Sequence, residues 1–150
     1  MNSVEVDEDI WLARYGLHPR GRDLDAVREL LAEQTRRERK SQGHGDTILM
    51  KLCVVQLFTA AAAGATGPTD DVLLIWRAKR ASFDAGCSID VQLLCGGGLD
   101  ATKAYLAGLG TEEGEAALRW ITHCEESEDF EEFTPAGWAA YYAEYYAQEG

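Results

Sequence analysis

Between Trp76 and Gln92 the chain crowds Arg77, Lys79, Asp84, Asp90 and Gln92 into one short span, the set of side chains best suited to chemistry. Val72, Ile75, Lys79 and Phe83 fall at i, i+3, i+7 and i+11, so on a helix Lys79 interrupts an apolar face. An ammonium so placed must extend to water or find a carboxylate, and Asp84 and Asp90 are the nearest partners in sequence. Lys79, Asp84, Asp90 and Gln92 then either floor a polar pocket with Arg77 or Arg80 beside it, as in a small enzyme or small-ligand-binding protein, or Lys79 makes a structural ion pair fixing an interhelical turn. Structural pairs are the commoner use of such clusters.

Gly96-Gly97-Gly98, ahead of Asp100, Thr102 and Lys103, hints at an anion cradle, but phosphate loops of that kind follow a strand. Here the preceding segment reads as a helix and Asp100 would occupy the cap, so the glycines read as a helix stop. Cys87, Cys95, His123 and Cys124 offer enough donors for zinc, yet their spacing matches no finger pattern. His123 and Cys124 are adjacent and would point about 100° apart on a helix. The thiols read as small apolar residues, and no metal or cofactor is expected. His18 and His44 fall in loops and are expected to be solvated. No nucleophile–base pair is evident, which leans against an enzyme.

Trp138, Tyr141, Tyr142, Tyr145 and Tyr146 fall at i, i+3, i+4, i+7 and i+8, an unbroken aromatic stripe opposite Ala139, Ala140, Ala143, Glu144 and Ala147. Trp138 and Tyr142 are expected inward, with Tyr145 or Tyr146 at the rim. Before the stripe runs an acidic loop holding Glu125, Glu126, Glu128, Asp129, Glu131 and Glu132. Phe130 and Phe133 punctuate it and should tack it down. It lacks the central glycine and ligand alternation of a calcium-binding loop. These six acids, with Trp138, Tyr141 and Tyr145, form a candidate partner-binding surface, because Trp and Tyr dominate interface hot spots.

The elements that must position these groups all read as helices. Asp7–Tyr15 is a short first helix, and Asp23 caps a second that ends in Arg36, Arg37, Arg39 and Lys40 near Ser41. Gln42-Gly43-His44-Gly45 breaks it, and Asp46 caps a helix over 47–63 whose polar residues Lys51, Gln56 and Thr59 lie to one side. A helix apolar nearly all round is a central one. Thr69 is read as the cap of a helix over 70–85 stopped by Gly86, and Ser88 as the cap of another over 89–95. Asp100 caps 101–109, Thr111 opens 112–126, and Thr134-Pro135 starts the last helix, to about Ala147. This predicts a single all-α domain over 1–150, with seven to eight short helices in an irregular bundle or a small HEAT-like antiparallel stack. The stack is favoured, because 47–63 with 70–85 and 111–125 with 135–147 look like hairpins.

Charge sets the partner class. From Ala104 to Gly150 eleven acids face one base, Arg119, and these residues carry most of the formal net charge of −12. Such a field repels nucleic acid and anionic membranes and attracts a basic protein. The bases at Arg20, Arg22, Arg28 and 36–40 are interleaved with Asp23, Asp25, Glu29, Glu33 and Glu38, so they form no nucleic-acid stripe. The apolar run 47–65 contains Lys51 and Gln56 and barely reaches a spanning length, which argues against a membrane helix. Met1–Asp9 has no basic region followed by an apolar core, so no export leader, reduced thiols and a cytoplasmic location are expected. The expectation is a non-enzymatic protein-binding module with an acidic, aromatic-edged face. A small acidic helical protein of this kind suits an immunity or antitoxin role against a basic partner, an analogy of surface character.

Overall fold

Asp46 accepts a hydrogen bond from the Leu49 amide at 3.0 Å and starts α3, Thr47–Ala62. Its residues from Leu49 to Ala60 are buried on every side except at Lys51, which is half-buried. With nearly every face apolar, α3 can only lie at the centre, and the segments 8–15, 22–41, 83–94 and 135–149 pack against it. The computed structural model describes residues 6–41 and 45–149. The leader reading at Met1–Glu5, the break at 42–44 and His44 lie outside the described residues.

Around α3 the chain runs as α1 Glu8–Tyr15, α2 Arg22–Ser41, α4 Val72–Lys79, α5 Phe83–Ser88, a 3-10 turn Val91–Leu94, α6 Leu99–Leu109, α7 Glu112–Glu126 and α8 Pro135–Glu149. The described residues contain no strand. The fold is all-α as the sequence predicts. The polar residues of α3 do not share a solvated sector. Gln56 is fully buried, accepts from Trp11 Nε1 at 2.9 Å and donates to the Gly16 carbonyl at 2.7 Å, so it fastens α1. Thr59 Oγ1 turns back onto the Gln56 carbonyl, while Lys51 sits 5.6 Å from the Tyr142 ring of α8.

The hairpins differ from the expected pairs. α2 packs along α3, and α6 pairs with α7, whereas α4 packs chiefly on α2 and α8 returns to α3. In a solenoid each repeat touches only its neighbours. The return of α8 makes this a bundle around one axis.

The expected helix over 70–85 is two helices. α4 starts later than Thr69, with Asp71 at its cap position, and ends at Lys79. Ser82 is extended and caps α5 through its hydroxyl, which accepts from the Ala85 amide at 3.0 Å, so Gly86 lies within α5 instead of stopping a longer helix. The same hydroxyl donates to Glu38 Oε2 at 2.5 Å, and the Gly45 amide donates to Glu38 Oε1 at 3.0 Å. Glu38 is fully buried near the end of α2. A buried carboxyl must be supplied with donors, and the bend at Ser82 supplies one. Asp71 is likewise buried and receives a two-pronged bond from Arg28, Nε–Oδ1 2.7 Å and Nη2–Oδ2 3.0 Å, which ties α2 to the start of α4.

The helix expected over 89–95 is only the 3-10 turn, and Ser88 ends α5 instead of capping a new helix. The glycines that follow do more than stop it. A Cβ on Gly97 would lie 2.3 Å from the Pro68 carbonyl oxygen, and one on Gly96 would lie 2.7 Å from that of Phe58. Both allow backbones to meet. Gly98, at φ +105°, is the cap position of α6, and Asp100 falls in its first turn.

Candidate functional site

The acidic loop is held at both ends and in its middle. α7 closes with the Glu128 amide bonded to the Glu125 carbonyl at 3.0 Å and the Asp129 amide to the Cys124 carbonyl at 3.0 Å. That is the Schellman pattern, and it puts Glu128 in the left-handed region at φ 69°, where glycine is usual. Glu132 is left-handed too, at φ 60°. Gln92 Nε2 donates to the Asp129 carbonyl at 2.6 Å, which pins the loop to the 3-10 turn. Phe130 is buried, and Phe133 packs 5.5 Å from it and 5.6 Å from Trp138, ring centre to ring centre. Thr134 Oγ1 then accepts from the Gly137 amide at 3.0 Å, with Pro135 as the first helical residue of α8.

The acids on this frame are not equivalent. Glu125 is half-buried and paired with Lys103 at 2.7 Å, so its charge is answered within the chain. Glu126, Glu128, Asp129, Glu131 and Glu132 are exposed.

The aromatic stripe of α8 divides into two rows. Tyr142 and Tyr146 are buried and Trp138 is half-buried, all on the row i, i+4, i+8 that faces inward. Tyr141 and Tyr145 form the outer row, 61% and 42% exposed, with rings stacked at 6.5 Å. The rim is therefore Tyr141 with Tyr145, and Tyr146 belongs to the core.

A cleft of about 440 Å³ runs beside this row, lined by Lys51, Asp90, Trp138, Tyr141 and Tyr142. Tyr142 donates its hydroxyl to Asp90 Oδ2 at 3.3 Å. Burial first, and the Asp90 charge second, push the phenol up from its ordinary value, so it remains a donor at neutral pH. Asp90, read from sequence as a partner of Lys79, thus belongs to the aromatic face.

Among the described residues Lys79 has no carboxylate partner. Its Nζ donates to the Gly86 carbonyl at 2.7 Å and the Ile89 carbonyl at 2.5 Å, closing the end of α5. Burial, the largest cause, lowers its pKa, partly offset by the charge of Asp90. Arg77 forms an exposed two-pronged pair with Glu113 of α7 at 2.8 Å, and Asp84 is exposed on α5. Gln92 serves the acidic loop instead. Lys79, Asp84, Asp90 and Gln92, the expected pocket floor, and Arg77 beside it are therefore dispersed over different jobs.

Cys53, Cys95 and Cys124 are buried, Cys87 is exposed, and no group of His, Cys, Asp or Glu among the described residues is arranged to hold a metal ion. His18 is exposed. No helix among the described residues is long and apolar enough to cross a membrane. The chain matches no family model, no curated protein and no solved structure.

Proposed function

We propose that this chain is a non-enzymatic protein-binding module that presents the loop 125–132 and the outer row of α8 to a basic protein partner. One observation carries the reading: Tyr141 and Tyr145 are exposed and stacked on each other, on the helix that directly follows a loop with five exposed carboxylates. A loop anchored by Phe130, Phe133 and Gln92 loses little further freedom on binding, so most of the contact energy is kept. The carboxylates steer a Lys- or Arg-rich surface inward, and the tyrosine faces then receive its guanidinium groups. An immunity or antitoxin role in the cytoplasm, neutralising a basic toxin, fits that surface character.

The alternative of a small enzyme or small-ligand-binding protein built on Lys79, Asp84 and Asp90 draws no support from the geometry. Lys79 is bound to backbone carbonyls, and Asp90 lines the other cleft with Tyr142.

The test is a partner recovered from the native host, with its affinity measured at 50 and 500 mM salt. Affinity should fall steeply with salt. Tyr141→Ala with Tyr145→Ala should weaken it by about tenfold or more. Glu131→Lys with Glu132→Lys should weaken it chiefly through slower association. Binding indifferent to salt and to both pairs of substitutions would sink the proposal.

A further inference from the structure

Where α4 turns into α5, a second cleft of about 630 Å³ opens against α7, lined by Trp76, Lys79, Arg80, Phe83, Cys87 and Trp120 with the backbone of the corner. We propose that this cleft binds a small aromatic anion, a molecule joining a flat ring to a carboxylate, sulfonate or phosphate. The size falls in the usual range for ligand clefts, about 300–1,000 Å³.

Three observations converge on that chemistry. First, the ring surface is left unfilled: Phe83 is 84% exposed and Trp120 is 44% exposed, although both border a recess in which they would be covered by a flat guest. Second, the charge is of the opposite sign to that of the chain. Acids outnumber bases 26 to 14 overall, yet this lining contains two cations and no carboxylate side chain. Neither cation has an ion-pair partner among the described residues: Lys79 is bound by two backbone carbonyls, and Arg80 lies over the Trp76 ring at 5.3 Å. Third, Arg80 is exposed while its guanidinium carbon stays within cation–π range of the Trp76 ring, and its planar N–H fork suits two-pronged binding of an oxyanion. The overall negative field is screened over about 8 Å at physiological salt, and Glu38, which accepts from the Ser82 hydroxyl of this lining, is itself fully buried.

Cys87 supplies a local reporter, because it is the exposed thiol of the four and lines this cleft. The experiment uses the full chain with 1-anilinonaphthalene-8-sulfonate as probe and N-phenyl-1-naphthylamine, its counterpart without the sulfonate, as comparison. Fluorescence titration gives affinity, and alkylation of Cys87 by iodoacetamide, followed by mass spectrometry, gives location. The sulfonate probe should saturate at one site and slow alkylation of Cys87, while the uncharged counterpart binds about tenfold more weakly. Arg80→Gln should cost the sulfonate probe about tenfold and leave the uncharged one unchanged. Trp120→Ala should weaken both, with the melting temperature of each variant recording that the fold is kept. Unprotected Cys87 at saturating probe, equal binding of the two probes, or indifference to Arg80→Gln would each overturn the proposal. A result of that kind would leave the α8 face untouched, because none of its residues lines this cleft.

Discussion

Replacing Lys79 by Met removes the ammonium while keeping an unbranched chain of similar length. Two acceptors then lose their donor, the Gly86 carbonyl at 2.7 Å and the Ile89 carbonyl at 2.5 Å, and Ile89 is fully buried. An acceptor stranded away from water costs about 1–3 kcal/mol, and Met returns part of that by relieving the desolvation of a half-buried cation. The net loss should be about 2 kcal/mol. With a urea slope of about 2 kcal/mol per molar, the midpoint should fall by roughly 1 M, and the melting temperature by roughly 4–8 °C. Asp84→Asn is the matched control. Had Lys79 been paired with Asp84, both substitutions would be costly, but the exposed Asp84 should tolerate the change within about 0.5 kcal/mol. The pH dependence has a definite sign. Burial lowers the Lys79 pKa below its ordinary 10.5, so between the folded value and 10.5 the unfolded chain holds a proton that the folded chain has released. Stability therefore rises with pH in that window for the wild type relative to Lys79→Met. A variant as stable as the wild type, or a gap that narrows as pH rises toward 10.5, would refute the reasoning.

Other perturbations follow from the same geometry. Burial pushes the Cys53 and Cys95 thiols up to about 12 from 9.0. Their contribution is present below pH 9 and lost as pH rises through about 12, by up to about 4 kcal/mol each, so Cys53→Ala should flatten the alkaline limb of stability against pH. Arg28→Ala strands the buried Asp71 carboxylate and should cost about 3 kcal/mol in urea unfolding, whereas Arg37→Ala, which breaks an exposed pair with Glu33, should cost less than about 0.5 kcal/mol. Glu128→Gly relieves a left-handed residue at φ 69° and should raise stability by about 1 kcal/mol while weakening binding of the proposed basic partner.

Much of this fold is legible from capping and period. Asp46, Thr111 and Thr134-Pro135 mark helix starts that the structure keeps, because a side-chain cap is a local interaction read from a few residues. The division between α4 and α5 is harder to see, since no glycine or proline falls between Lys79 and Phe83. Its cause is Glu38, more than forty residues away, whose burial demands the Ser82 hydroxyl. The one local signal is Ser82 itself, a good cap residue placed inside an apparently continuous period. The site shows the same divide. A stripe of five aromatic residues declares that α8 has a ring-bearing side, but rings of similar hydrophobicity do not say which row points inward. Docking on α3 decides that, and with it the bond between Tyr142 and Asp90. The cleft at the α4–α5 corner depends on both the bend and the approach of Trp120 from α7, so the sequence sets Trp76, Lys79, Arg80, Phe83 and Cys87 in one short stretch but does not show that Trp120 joins them.

The central position of α3 also bears on the order in which the chain is made. Its apolar sides are complete by Ala62, but α8, which covers one of them, begins only at Pro135, about seventy residues later. At roughly 5–20 residues per second, a ribosome would need several seconds to deliver that cover. During that interval α1 and α2 can already lie on α3, while the side destined for Tyr142 and Tyr146 meets water or a chaperone. Substitutions that loosen α8 should accordingly lower the yield of folded protein in cells before they alter any property of the purified molecule.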